Sequence, residues 1–174
     1  MRAGQAQLGR TAGGGTETPR GDADGTPYES PAELHQARYA AMVRLATLLS
    51  GSAATAEDIV QDAFVKLIER WDRVEQPSAY LRASVVNACA GHHRHREVVR
   101  RHTTPPVLTV VDPEGFVLRD AVLRLPARQR AVLVLRFYED LPEAEIAALL
   151  HCRVGTVKSA LHRGLAQLRR VVEP

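Results

Sequence analysis

Tyr138 to Arg170, YEDLPEAEIAALLHCRVGTVKSALHRGLAQLRR, reads as two helices parted by a very short break. The first carries apolar residues at Ile146, Leu149 and Leu150. The second sets Val154, Val157, Leu161, Leu165 and Leu168 on one narrow arc, the i, i+3, i+4, i+7 pattern of a packed helix. At about 100° per residue, the opposite arc holds Ser159, His162, Arg163, Arg169 and Arg170, with Thr156 and Lys158 on its flanks. A basic helix face alone is usually just solvated surface. A short helix and a three- or four-residue turn ahead of it turn the pattern into a helix-turn-helix, which binds duplex DNA through the second helix. The candidate contacts are Arg153, Thr156, Lys158, Ser159, His162 and Arg163.

The remaining chain narrows the choice of function. Its 174 residues have room for one medium domain or two small ones, and 45% hydrophobic content can support cores. The net charge of +3 permits a nucleic-acid partner without requiring one. That charge is concentrated at the end: Arg153, Lys158, Arg163, Arg169 and Arg170 face only Glu173. Two distant cysteines, Cys89 and Cys152, argue against a disulfide framework and for a reducing cytoplasm. No run of eighteen apolar residues offers a membrane span, so membrane insertion is not expected. No Ser-His-Asp set, phosphate-binding loop or carboxylate pair offers a catalytic site, and the reading is non-enzymatic.

Residues 1–30 lack an apolar period and are rich in Gly, Thr and Pro, the composition of a disordered tail or of a misplaced start. Order is expected from Ser30, an N-cap followed by Pro31 and Glu33, with a helix running to about Ser50 and stopped by Gly51. Its apolar positions are Leu34, Ala41, Leu45, Leu48 and Leu49. A second helix is expected from Thr55, in a capping box with Asp58, to Trp71. A third follows from Ser78 to His95, making a three-helix unit over 31–97. The helical period then lapses over 98–115, where Pro105, Pro106 and Pro113 stand, and a flexible linker is expected. Helices over 116–124, 126–138, 142–150 and 153–171 complete a four-helix unit over 116–171. The fold class is all-α, with two small helical domains.

Two faces in the first unit carry functional candidates. On the second helix Val60, Phe64, Leu67, Ile68 and Trp71 form an expected core arc. The other side carries Asp58, Gln61, Asp62, Val65 and Glu69, an acidic strip with one apolar residue, suited to docking a basic partner helix. On the third helix Leu81, Val85 and Ala88 form the expected buried stripe. Tyr80, Asn87 and Arg94 line up at sevenfold spacing with the small Ala83, Ala90 and Gly91 between them. Tyr can stack on an unpaired base, Asn can read a base edge and Arg can hold phosphate. Cys89, His92, His93 and His95 raise the question of zinc. Four ligands on one short helix are hard to arrange around a tetrahedral ion, so neither metal nor cofactor is expected.

Both halves together resemble the small bacterial sigma factors of the extracytoplasmic-function group. TAEDIVQDAFVKLIERW (55–71) resembles the family's polymerase-binding helix in region 2. QPSAYLRASVVNACAGHHRHR (76–96) resembles its −10-reading part, with Tyr80-Leu81 where Trp-Leu is usual and the family's Asn at Asn87. The segment from Leu125 to Arg170 resembles region 4, most closely at VGTVKS, Val154–Ser159. The resemblance implies a transcription-initiation subunit that binds core RNA polymerase at the β′ clamp helices and β flap. The Tyr80/Asn87/Arg94 face would then meet a melted −10 strand, and the last helix the −35 major groove. An anti-sigma factor is the family's habitual further partner.

The chain departs from the family at His151-Cys152-Arg153, where Gly-Cys-Ser is frequent, and at Pro142, where a capping serine is usual. Losing the glycine removes a residue suited to positive φ, and losing each serine removes an N-cap, at roughly 1 kcal/mol apiece. The competing reading is a helix-turn-helix operator-binding regulator whose first three helices form a dimerisation or sensor module.

Overall fold

The structure is a computed structural model, and it describes residues 28–99 and 113–172. Most of the expected tail and of the expected linker lies outside these residues. Among the described residues there are seven α-helices and no strand: α1 Pro31–Ser50, α2 Ala53–Ile68, α3 Pro77–Val99, α4 Pro113–Arg124, α5 Ala127–Phe137, α6 Glu143–Leu149 and α7 Val154–Val172. A single 3-10 turn, Trp71–Arg73, follows α2. The expected all-α, two-unit class is what the helices form.

α1 starts as its sequence dictates. The Ser30 side chain accepts from the Glu33 N–H, and Pro31 sits in the first turn, where its missing N–H costs nothing. Gly51 closes the helix at φ 80°, a left-handed value that glycine adopts without a Cβ clash, and its N–H bonds to the Thr47 carbonyl. α2 begins earlier than expected. Ser52, rather than Thr55, is its N-cap, accepting from the Thr55 N–H, because Ala53 and Ala54 are strong helix formers that add half a turn. Pro113 opens α4 instead of blocking it, as a proline in a first turn can.

The first core forms where α1, α2 and α3 cross. Leu34, Met42, Leu45, Ala46 and Leu49 of α1 meet Val60, Ala63, Phe64 and Leu67 of α2, and Leu81, Val85, Val86 and Cys89 of α3, all buried. Each fully buried aliphatic side chain contributes about 1.5–3 kcal/mol relative to its exposed state. Three positions differ from expectation, the first being Trp71, which is only half buried and stands in the 3-10 turn beyond the end of α2. Ala88 is only half buried, since Val86 and Cys89 fill the seam, and Ile68 is 55% exposed. Taking Val60 as the centre of the buried arc, Ile68 lies about 80° round the helix, at its rim, and α2 ends there.

In the second unit α5 supplies Val132, Val134 and Leu135, α6 supplies Ile146 and Ala147, and α7 supplies Val157 and Ala160. The break between α6 and α7 is a Schellman turn. The Cys152 N–H bonds to the Ala147 carbonyl, the His151 N–H bonds to the Ala148 carbonyl, and His151 takes φ 49°. His151 thus occupies the left-handed position that glycine favours. Its side chain is exposed, so His151→Gly removes the strain without opening the core. The expected result is a gain of about 1 kcal/mol, and hence a melting temperature several degrees higher. A variant that melts below the wild type would refute the strain.

Candidate nucleic-acid and protein interfaces

α7 presents the face that its sequence pattern implied. Arg153, Lys158, Ser159, His162 and Arg163 are exposed and Thr156 is half buried, while Val157, Ala160 and Gly164 are buried against the unit. Val154 is a correction: expected in the apolar arc, it is 39% exposed, because it is the first residue of α7 and projects beyond the end of α6. The Arg153 carbonyl accepts from the N–H groups of Thr156 and Val157, starting the helix. Ser159 Oγ donates to the Gly155 carbonyl at 2.8 Å, and Arg163 Nε donates to the Ser159 carbonyl at 3.2 Å. The Nη pair is the part of that guanidinium that a bidentate contact to guanine uses. Lys158 Nζ lies 3.8 Å from Glu143 Oε2, a pair of an exposed lysine and a half-buried glutamate that joins α7 to the start of α6. Glu143 carried no signal in the sequence beyond its place in a first turn.

α6 reaches its position without a side-chain cap. Pro142 stands at its N-cap with no side-chain hydrogen bond, and only its carbonyl engages, accepting from Ile146 N–H. Glu143 and Glu145 face the positive end of the helix dipole instead. Seven residues are too few for an isolated helix. Burial of Ile146 and Ala147 therefore holds α6, and α6 in turn fixes the entry of α7.

On α3, Tyr80 is half buried and Asn87 is exposed. Seven residues separate them, two turns and roughly 10 Å along one side of the helix. The Tyr80 hydroxyl accepts from Arg70 Nη1 at 3.3 Å, which ties the ring to the end of α2. Arg70 had no place in the sequence reading. Arg94 falls within α3, but its side chain lies outside the described residues, as do those of His93 and His95. Cys89 turns away from that end. The residue is 2% exposed, and its Sγ donates to the Ala46 carbonyl at 4.0 Å. Burial pushes the Cys89 thiol up to about 12, partly countered by the positive charge of Arg130. It is therefore held as the neutral thiol, which is a poor nucleophile.

α2 carries a continuous exposed strip of Asp58, Gln61, Asp62, Val65, Ile68 and Glu69. Val65 and Ile68 are each 55% exposed, so the strip has two apolar residues within an acidic border where the sequence reading found one. A small desolvated centre with a polar rim is the composition of a protein-docking surface.

The sigma-70 region 2 family profile matches residues 34–98, and that of sigma-70 region 4 matches residues 116–168. The RNA polymerase sigma-E factor of Streptomyces avermitilis is 35% identical over 150 residues, covering 81% of this chain and 84% of that protein. The ECF RNA polymerase sigma factor SigM of Mycobacterium tuberculosis is 31% identical over 153 residues, covering 80% of this chain and 76% of the relative. Among solved structures, the fold is shared with the sigma factor RpoE of Bartonella quintana, solved with the anti-sigma factor NepR. That match has a TM-score of 0.70 at 23% identity over 82% of this chain and 96% of the other. CnrH, solved with the cytosolic domain of CnrY, matches at a TM-score of 0.59 and 22% identity, over 82% of this chain and 87% of that one. An exposed basic helix-turn-helix, an exposed acidic strip and these likenesses lead to one family: the chain belongs to the RNA polymerase sigma factors of the extracytoplasmic-function group.

Proposed function

We propose that the chain is a promoter-specificity subunit that docks on core RNA polymerase through α2 and reads promoter DNA with α3 and α7. One observation carries this reading: a single chain exposes both an acidic strip with an apolar centre on α2 and a basic helix-turn-helix face on α7. An operator-binding regulator needs only the second. Asp58, Gln61, Asp62, Val65, Ile68 and Glu69 meet the β′ clamp helices, and the second unit meets the β flap. Tyr80 stacks on an unpaired −10 base, Asn87 reads a base edge, and Arg94 holds phosphate. Arg153, Thr156, Lys158, Ser159, His162 and Arg163 contact the −35 element. The organisation that goes with this is a polymerase- and −10-binding unit over 31–97, a linker over 98–115 and a −35-binding unit over 116–171.

The chain supplies specificity and the polymerase supplies the chemistry, so no catalytic residue is assigned. Action with polymerase implies the cytoplasm, and no helix among the described residues is long and apolar enough to cross a membrane. An anti-sigma factor is the expected regulator, by analogy with the sigma factor RpoE of Bartonella quintana, solved with the anti-sigma factor NepR.

The test is a pull-down with core polymerase, followed by mapping of transcript starts on genomic templates in a reconstituted reaction. A folded chain that captures core and yields no start would overturn the proposal. Within the same assay Arg163→Ala should lower use of promoters that depend on −35 by about tenfold or more, through the loss of one base or phosphate contact. Unchanged use would remove Arg163 from the reading face.

A further inference from the structure

A carboxylate from a different helix borders the reading face of α7. α7 itself, Val154–Val172, contains no acidic residue. Lys158 is its fifth residue, and the first turns of a recognition helix are the part that reaches base edges. Glu143 is the first residue of α6, and its Oε2 lies 3.8 Å from Lys158 Nζ. The lysine side chain is 66% exposed and the glutamate 33%, so water screens the pair and it contributes little to stability. Its place is more informative than its strength. Lys158 stands among Thr156, Ser159, His162 and Arg163 on α7, so a group that meets the ammonium also meets the carboxylate beside it.

That juxtaposition treats two kinds of DNA contact differently. A lone lysine at a duplex binds phosphate, which every sequence presents. With Glu143 beside it, a phosphate on Lys158 brings two negative charges close together, and the contact weakens. A base edge carries no such charge. In the major groove a G·C pair offers guanine O6 and N7 as adjacent acceptors and the cytosine N4 amino group as a donor. One ammonium can bridge the two acceptors while a carboxylate accepts from the amino group. An A·T pair separates its N7 and O4 acceptors by the adenine N6 donor, so the same two side chains fit it less well.

We propose that Glu143 is a specificity-determining residue of the −35 contact, holding Lys158 to a G·C base pair and penalising phosphate in its place. The inference rests on the sigma-factor reading, and it adds a residue of α6 to the reading surface of α7.

The test uses holoenzyme reconstituted from core RNA polymerase and the full chain. The probes are two duplex fragments: a promoter located by its transcript start, and the same fragment with its −35 element scrambled. Affinity for each is measured over a salt series. Glu143→Gln keeps the shape of the side chain and removes its charge. It should tighten binding to the scrambled fragment more than to the promoter, lowering their affinity ratio about fivefold and steepening the salt slope on the scrambled fragment by about one. In a Lys158→Met background the same change should leave the ratio where it is, because no ammonium remains to be released. Glu145→Gln is the control, since it removes another acid from the first turn of α6 and should move neither readout. Single G·C-to-A·T replacements across the −35 element should also reveal one position that costs the wild type about tenfold and the Glu143→Gln, Lys158→Met double variant nothing.

Four results would each overturn the proposal: an unchanged ratio and slope for Glu143→Gln, an undiminished effect without Lys158, an equal effect of Glu145→Gln, or no such base pair. Wild-type holoenzyme that binds both fragments equally would instead overturn the −35 reading of α7, and the role of Glu143 with it. That result is read before any variant is made, so the two failures are told apart.

Discussion

Asp62→Arg should weaken binding to core RNA polymerase by about two orders of magnitude while the helix-turn-helix stays folded. Asp62 is exposed in the middle of the α2 strip, with Asp58 one turn before it and Val65 and Ile68 following. Reversing its sign sets a like charge against a basic partner surface, which costs several kcal/mol, and each 1.4 kcal/mol is a factor of ten. Ile68→Asp should weaken binding by a similar factor through a different cause, burial of a carboxylate where a small apolar centre belongs. Neither side chain belongs to the core, so the circular dichroism spectrum and the melting temperature should stay close to those of the wild type. The check is a titration of labelled chain with core enzyme. If both variants bind as tightly as the wild type, the strip is ordinary solvated surface.

Gly164→Leu should unfold the second unit or lower its stability by at least about 3 kcal/mol. A Cβ at Gly164 would stand 2.7 Å from Leu133 Cδ1, 3.3 Å from Leu133 Cγ and 3.6 Å from Gln129 Cβ, where α7 crosses α5. Leu133 is only 4% exposed, so it has little room to turn away. One added carbon forces a shift worth about 1–3 kcal/mol, against a gain of about 1 kcal/mol in helix propensity for alanine over glycine. Gly164→Ala should therefore be mildly destabilising and the leucine variant severely so. Gly155 supplies the control. Nothing lies within 4 Å of its added Cβ, so Gly155→Ala should melt no lower than the wild type. Thermal unfolding followed at 222 nm separates the cases, and a leucine variant within 1 kcal/mol of the wild type would contradict the close crossing.

Strong periodicity made the long helices and both units legible in the sequence. The face of α7 followed from spacing alone, because Val157, Leu161 and Leu165 recur where a packed helix needs them and the arginines stand opposite. Rim positions were harder. Ile68 belongs to the apolar arc by angle, yet a helix that stops at Ile68 leaves its last rim residue outside the core. Val154 escaped for the same reason at the other kind of helix end. The start of α2 was misplaced because Ser52 and Thr55 both qualify as caps, and only the two alanines between them decide. Contacts between the units were out of reach. Arg82, Glu139, Arg44 and Tyr138 look like surface residues in any local pattern, and their pairing depends on the tertiary arrangement.

The seven residues of α6 are bracketed by two left-handed, non-glycine positions, Asp140 at φ 49° and His151 at φ 49°. Each holds back about 1 kcal/mol that glycine would release, less at Asp140 because an aspartate tolerates that conformation better. The helix that sets the entry of the DNA-reading element is thus tuned below its attainable stability. A segment tuned this way opens more often, and proteolysis of a briefly opened segment tracks how much of it is open. Transcriptional output then depends on how long each molecule survives as well as on how well it reads DNA, and the backbone at these two residues helps to set that lifetime.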